Sequence, residues 1–224
     1  MTVVGVDACK GGWIAVVKRD ETITAHVIEH ISLLNALVPD ARVIAIDIPI
    51  GLLSEGVRTA DIEGRKALEH RQSTLFVVPV RQALMAATPD EATRISKNSG
   101  GPGISRQSFG LKEKILQVDS WLAIAPCPVY EVHPELSFKE MTGTVLTSSK
   151  KTWSGMRARR EALLREGINL DEVAVEAGSK CATDDMLDAG AAVWSAERIL
   201  DGRARSIPLV PQRSPEGRDI AIWF

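Results

Sequence analysis

Apolar positions come first in short, strand-length runs and later at helical spacing. TVVGVD, WIAVV and ITAHVIEHI are separated by turns at Lys10–Gly12 and Arg19–Glu21, a pattern that predicts three antiparallel strands. Ser32 is placed to cap a short helix through Leu33, Leu34 and Leu37, and after Pro39 the run ARVIAIDIPIG predicts a fourth strand. Val43 to Ile46 are continuously apolar, as expected of a strand buried on both faces. The order β-β-β-α-β favours a fourth strand parallel to the first through a right-handed crossover. Asp7 and Asp47 then share one edge of the sheet.

From Leu52 to about Pro126 the strand signals thin out, and helical patterns alternate with the glycine-rich SGGPG (Ser99–Gly103). Helices are predicted over Arg58–Arg71 and Ser105–Ala123, the second with Leu111, Ile115, Val118 and Leu122 at spacings of 4, 3 and 4. PVYEVH (Pro128–His133) predicts a short fifth strand between prolines. Ser154–Glu166 predicts a basic helix ending near Gly167, and Thr183 or Asp184 is expected to cap a long final helix that runs to about Leu200. Ala189, Gly190, Ala191, Ala192 and Ala196 make that helix thin enough to approach a sheet closely. The prolines from Pro208 onward predict an irregular tail, with Ile220–Phe224 docking at its end.

At 224 residues, with 45% hydrophobic and 25% charged side chains, the chain can bury a sizeable core. It is read as a single domain over residues 1–224 with a helical insertion at about 52–126. Cys9, Cys127 and Cys181 are odd in number and form no C-x-x-C pair, which argues against a disulfide framework or thiolate zinc site and points to reduced thiols in a cytoplasmic protein. No basic segment precedes an apolar stretch at the N-terminus, and no apolar run is long enough to span a bilayer, so a membrane is not an expected partner. A net charge of −2 gives no global signature of nucleic-acid binding, so any such surface must be local. The best local candidate is Lys150–Arg165, where six basic residues meet one acid, Glu161. Lys150, Lys151 and Arg157 are its candidate phosphate contacts, with Lys10 of the first turn beside them, although a charge run is more often a solvated helix face.

The acidic residues carry the chemistry. Asp7 ends a strand, where turn-forming aspartates are common. Asp47 follows four apolar residues and is costly there unless it is paired, solvated or caps the Ile48–Gly51 turn. Two unit charges about 4 Å apart repel by roughly 4 kcal/mol at an effective dielectric of 20, so an Asp7–Asp47 pair needs a cation or a proton. Asp184, Asp185 and Asp188 crowd one helix start. The helix dipole accounts for one or two of them, but Asp188 precedes the small-residue face that should be buried. In EVHPE, Glu131 and Glu135 flank a strand exit, and His133 is either a water- or phosphate-contacting group or a structural histidine. Arg58, Asp61 and Arg65 form a helical charge ladder read as helix surface. Separate acidic segments converging on one sheet edge suggest a divalent-metal site and phosphodiester hydrolysis.

GVDACKGGW, IDIPIGL, EVHPELSF, SKKTWSGMR and DDMLDA, in this order from Val3 to about Gly202, resemble a family of ribonuclease-H-fold nucleases classed as a domain of unknown function. The DMLDA run starting at Asp185 also resembles the C-terminal helix of Holliday-junction resolvases of the RuvC type, which use one carboxylate on the first strand and another on the fourth. The resemblance implies an α/β, ribonuclease H-like fold and makes Asp7, Asp47 and Asp185 or Asp188 the ligands of Mg²⁺ or Mn²⁺. In the resolvases the fourth-strand position is usually Glu, and here it is the shorter Asp47. The expected sheet is five-stranded and mixed, order 3-2-1-4-5, flanked by helices, with the helical insertion between strands four and five. The expected activity is that of a hydrolase, a two-metal nuclease. Asp7 is expected to bridge the ions, Asp47 to hold one, and Asp188 with Asp185 to hold the other. Glu131 is a further candidate ligand, and Lys150, Lys151 and Arg157 neutralise phosphates. The partner is nucleic acid, with DNA and RNA both open, as is a homodimer. The alternatives are a phosphotransferase of the sugar-kinase and actin-like class and a non-catalytic binding module.

Overall fold

The computed structural model describes residues 1–173 and 175–224. Along the chain, β1 (Thr2–Cys9), β2 (Gly12–Arg19) and β3 (Thr22–Ile28) form an antiparallel meander, followed by the short helix α1 (Leu34–Leu37) and β4 (Val43–Ile46). Then come α2 (Thr59–Ala67), α3 (Arg81–Leu84), α4 (Pro89–Asn98), α5 (Arg106–Gly110) and α6 (Lys112–Trp121). The chain continues through β5 (Val129–Glu131), α7 (Pro134–Thr142), α8 (Trp153–Arg165), α9 (Val175–Lys180) and α10 (Thr183–Leu200). It closes with β6 (Ser206–Arg213) and β7 (Asp219–Trp223). The fold is α/β. Its main sheet has five strands in the order β3-β2-β1-β4-β5 with β4 parallel to β1, as the sequence pattern predicts, and β5 is also parallel to β4. No helix among the described residues is long and apolar enough to cross a membrane.

Contacts divide the chain into two compact units, the first comprising Met1–Ile48, Trp121–Arg205 and Trp223–Phe224, the second Pro49–Ser120 and Ser206–Ile222. The first is built around α10, which packs along β1, β4 and β2. Gly5 explains the closeness of that packing. A methyl group at Gly5 would lie 2.2 Å from both the Ala189 carbonyl oxygen and the Val193 nitrogen, so the helix backbone sits directly on the strand. Leu187 to Ala196 are all buried, and the small residues among them let β1 and α10 meet at this distance.

In the second unit α2 packs on β6. Arg58 and Asp61, expected on a helix surface, are both buried and form an ion pair at 3.2 Å, while Asp61 also accepts a 2.8 Å hydrogen bond from the Val78 N–H. The side of α2 that carries them faces inward, which charge spacing alone does not reveal. The tail expected to be irregular forms the β6–β7 hairpin, turned at Ser214–Gly217. Prolines at 208 and 211 are tolerated because a two-stranded ribbon leaves alternate N–H groups outside the ladder. The single helix expected over Ser105–Ala123 breaks at Gly110, where helix formation is weakest. A single 3-10 turn (Ile31–Leu33) leads into α1, and its cap is His30 rather than Ser32, the ring accepting from the Ser32 N–H. Ala182, without a side-chain hydrogen bond, occupies the cap position of α10 predicted for Thr183 or Asp184.

Gly5→Ala should destabilise the protein by about 3 kcal/mol or more, because the added carbon meets backbone that cannot yield. Gly190→Ala should cost less, since its added carbon meets only the ends of the Leu170 and Leu163 side chains. Denaturant unfolding of the two variants checks the ranking.

Candidate metal centre

Register brings the first two carboxylates together. Val6 stands opposite Ile46 in the parallel β1–β4 pair, and the Asp47 N–H donates to the Val6 carbonyl at 2.9 Å. Asp7 and Asp47 are thus the next residues on neighbouring strands, and the pleat turns both toward the face that Gly5 presents to α10. On α10, Asp188 immediately precedes Ala189, whose carbonyl lies against Gly5. Seating the helix on the strand therefore delivers Asp188 to the same point. One oxygen from each of Asp7, Asp47 and Asp188 lies within 4.8 Å of the other two. Asp7 Oδ1 also accepts a 2.7 Å hydrogen bond from the Ala8 N–H, which fixes its orientation.

Asp7 and Asp188 are buried, while Asp47 keeps partial access to solvent although its carboxyl is surrounded by protein atoms. Burial pushes Asp7 well above the usual carboxylate range, and the neighbouring Asp47 and Asp188 push it further. Asp47 is raised to about 7, chiefly by burial, with Lys150 opposing and Glu135 adding to the rise. Asp188 is also raised to about 7 by burial, with Lys150 opposing and Asp47 adding. Lys150 donates its ammonium to Asp188 Oδ2, and its own pKa rises because these carboxylates outweigh its desolvation. Asp188 Oδ1 is buried and has no hydrogen-bond partner among the described residues. Such an orphaned oxygen costs about 1–3 kcal/mol unless something coordinates it. The donors are all carboxylate oxygens, which suit a hard divalent cation such as Mg²⁺ or Mn²⁺.

Not every candidate from the sequence reaches this point. Asp185 accepts a hydrogen bond from the Ala182 N–H, closing the first turn of α10 as a capping residue, while burial and Asp184 raise its pKa. Glu131 lies opposite Ile46 in the β4–β5 register, so the pleat turns it to the sheet face away from Asp7 and Asp47. His133 occupies the N-cap of α7, outside the three-carboxylate cluster. Lys10 is exposed in the turn that follows β1.

The basic stretch is largely neutralised within the protein. Arg159 is fully buried and forms a bidentate pair with buried Glu135, with nitrogen–oxygen distances of 2.7 Å. Arg157 pairs with Glu161 at 2.6 Å, Arg160 pairs with Asp171, and Lys150 is committed to Asp188. Lys151 and Arg165 make no ion pair among the described residues. Glu135, a candidate beside Glu131 at the strand exit, pairs with Arg159 and lies outside the three-carboxylate cluster, which its field reaches. The i,i+1 step from Pro134 at a helix start gave no sign that an arginine 24 positions later would cover it.

The chain belongs to the family described as "Protein of unknown function (DUF429)", whose model matches residues 5–213. No curated protein and no solved structure matches it.

In the folded chain Asp47 and Asp188 hold their protons up to about 7, whereas an ordinary aspartate releases its proton near 3.8. Unfolding therefore releases protons between those values, so the metal-free protein should lose stability as pH rises from about 4 to 7, by a few kcal/mol, and then level off. Thermal melts in EDTA across this range should show the fall, and Asp47→Asn should flatten it. Added Mn²⁺ should raise the melting temperature of wild type more at about pH 8 than at about pH 5.5, because protons and metal compete for the same oxygens.

Proposed function

We propose that the protein is a metal-dependent hydrolase of phosphodiester bonds in nucleic acid, built on a ribonuclease H-like fold, with Mg²⁺ or Mn²⁺ held by Asp7, Asp47 and Asp188. The observation that carries this reading is the convergence of two strand-end carboxylates with a buried aspartate whose Oδ1 has no protein partner. At about 4.8 Å and an effective dielectric of 20, each pair of charges repels by roughly 3 kcal/mol. A protein keeps such a cluster at a cost to stability, which a bound cation reverses. A divalent ion there supplies Lewis-acid polarisation of a phosphoryl oxygen and lowers the pKa of water.

The side chains divide the remaining work. Asp7 and Asp47 hold the sheet side of the centre, and Asp188 the helix side. Lys150, bound to the second oxygen of Asp188, would set a positive charge beside a phosphate held at this centre. Three carboxylates, one divalent ion and the Lys150 ammonium sum to zero. One ion therefore saturates the centre without substrate, and the two-ion arrangement expected from the sequence forms only when an anionic phosphate joins it. Lys10 and Lys151, both exposed, are the proposed phosphate contacts flanking the centre. Arg157 contributes less, because Glu161 already balances it.

Purified protein with Mn²⁺ should cleave at least one of single-stranded, duplex or branched nucleic acids. Asp7→Asn and Asp188→Asn should each reduce the rate by about a hundredfold or more, since metal stabilisation of transition-state charge is worth several kcal/mol. Calorimetric titration without nucleic acid should find one Mn²⁺ per chain. No cleavage by wild type, or undiminished cleavage by Asp7→Asn, overturns the reading.

A further inference from the structure

Beside the acidic centre lies a cleft of about 420 Å³ whose lining includes Lys150, Lys151, Trp153, Met156 and Asp184. Trp153 is 75% exposed, whereas Trp13, Trp121 and Trp194 are all buried. Leaving an indole in water forgoes the hydrophobic stabilisation that burial of so large a side chain provides. The fold does not use this ring. Trp153 is the first residue of α8, and the helix start is secured by Thr152, whose Oγ1 accepts from the Gly155 N–H at 3.2 Å.

Hydrogen bonds tie down the backbone that presents Trp153. The Thr152 hydroxyl and N–H both donate to the Ser149 carbonyl, at 2.7 and 2.9 Å, and buried Arg159 donates to the Ser148 carbonyl at 3.1 Å. Gly155 permits this arrangement, because a methyl group there would lie 2.0 Å from the Ser149 oxygen. An exposed aromatic face thus stands between two lysines. On one side Lys150 reaches Asp188 of the carboxylate cluster. On the other, Lys151 is exposed and makes no ion pair among the described residues.

We infer that this cleft binds single-stranded nucleic acid, with an unpaired base stacked on Trp153 and an adjoining phosphate on Lys151. The site deepens the proposed hydrolytic function by naming its substrate class, and for its placement beside the scissile bond it rests on that reading. An exposed aromatic face flanked by ammonium groups, on a backbone tied down by hydrogen bonds, is the arrangement that receives an unstacked base and its backbone. In an intact duplex both faces of every internal base are already covered. Asp184 repels phosphate, so the backbone runs on the lysine side and the base edge faces the carboxylate. Trp153 and Met156 form too small an apolar patch for docking a protein partner.

Binding of an oligothymidylate of about twelve nucleotides, measured in EDTA by fluorescence anisotropy and tryptophan emission, tests this. The oligonucleotide should quench wild-type emission, since Trp153 is the most exposed indole. Trp153→Ala should bind about tenfold more weakly and lose the quenching, and Trp153→Phe should retain most of the affinity. An abasic oligomer should bind wild type no better than oligothymidylate binds Trp153→Ala. Lys151→Ala should lower the slope of log affinity against log salt by about 0.7. Absence of binding, equal affinity of Trp153→Ala and wild type, or quenching that survives the substitution overturns the inference. Because binding is measured in EDTA and cleavage separately with Mn²⁺, Mn²⁺-dependent cleavage with Trp153-independent binding sinks only the platform, and Trp153-dependent binding without Mn²⁺-dependent cleavage sinks only the hydrolytic reading.

Discussion

The contact between Gly5 and the backbone of α10 sets the position of everything at the acidic centre. With no side chain between them, helix and strand meet at backbone distance, and the helix has no room to rotate or slide without clashing. Asp7 follows Gly5 by two residues on the same strand face, and Asp188 precedes Ala189, whose carbonyl touches Gly5. The two carboxylates are therefore held together by packing of the apolar residues around them. Their mutual repulsion is small compared with the burial of Leu187 to Ala196 on the sheet, so the fold tolerates it. Rigid scaffolding of a locally unfavourable cluster is what a binding site needs and a purely structural core avoids.

The charges around the cluster show how that cost is limited. Lys150 offsets one carboxylate directly, while Glu135, whose field still reaches Asp47 and Asp188, is itself paired with Arg159. Arg159 in turn donates to the Ser148 and Gly155 carbonyls, so the side chain that neutralises Glu135 also anchors the segment carrying Lys150. The placement of the single lysine at the centre thus depends on a buried ion pair on its far side. Removing one partner of such a pair leaves an uncompensated charge in the core, which is far more damaging than replacing both.

Much of this was legible from the sequence because the relevant signals are local. The apolar run Val43–Ile46 and the β-β-β-α-β order gave the parallel pairing that aligns Asp7 with Asp47, and the Ala/Gly-rich stretch after Asp188 gave the buried face of the last helix. What could not be read depends on contacts distant in sequence. Whether Asp185 or Asp188 enters the cluster depends on the rotation of α10 about its axis, fixed by Gly5 more than 180 residues earlier. Glu131 is separated from the centre by the alternation of a three-residue strand whose register was unknown. The prolines of the tail suggested irregular structure, but their effect depends on whether each N–H is needed by a neighbouring strand, and in a two-stranded ribbon alternate ones are not.

The basic stretch Lys150–Arg165 shows the same limit and leads to a conclusion about binding. Read as composition it is a strongly positive segment; in the fold its arginines at 157, 159 and 160 and the lysine at 150 are each matched to a carboxylate. Few cations remain to release counterions from a polyanion, and the chain as a whole carries a net charge of −2. Affinity for nucleic acid on such a surface cannot come mainly from phosphate neutralisation, which scales with the number of contacts made. Under the proposed function it would have to come from short-range terms, namely coordination at the three aspartates and stacking on an exposed ring. Those terms depend weakly on salt and strongly on the geometry of unstacked bases, so the single-stranded substrate proposed above is the one that a surface of such modest charge would favour.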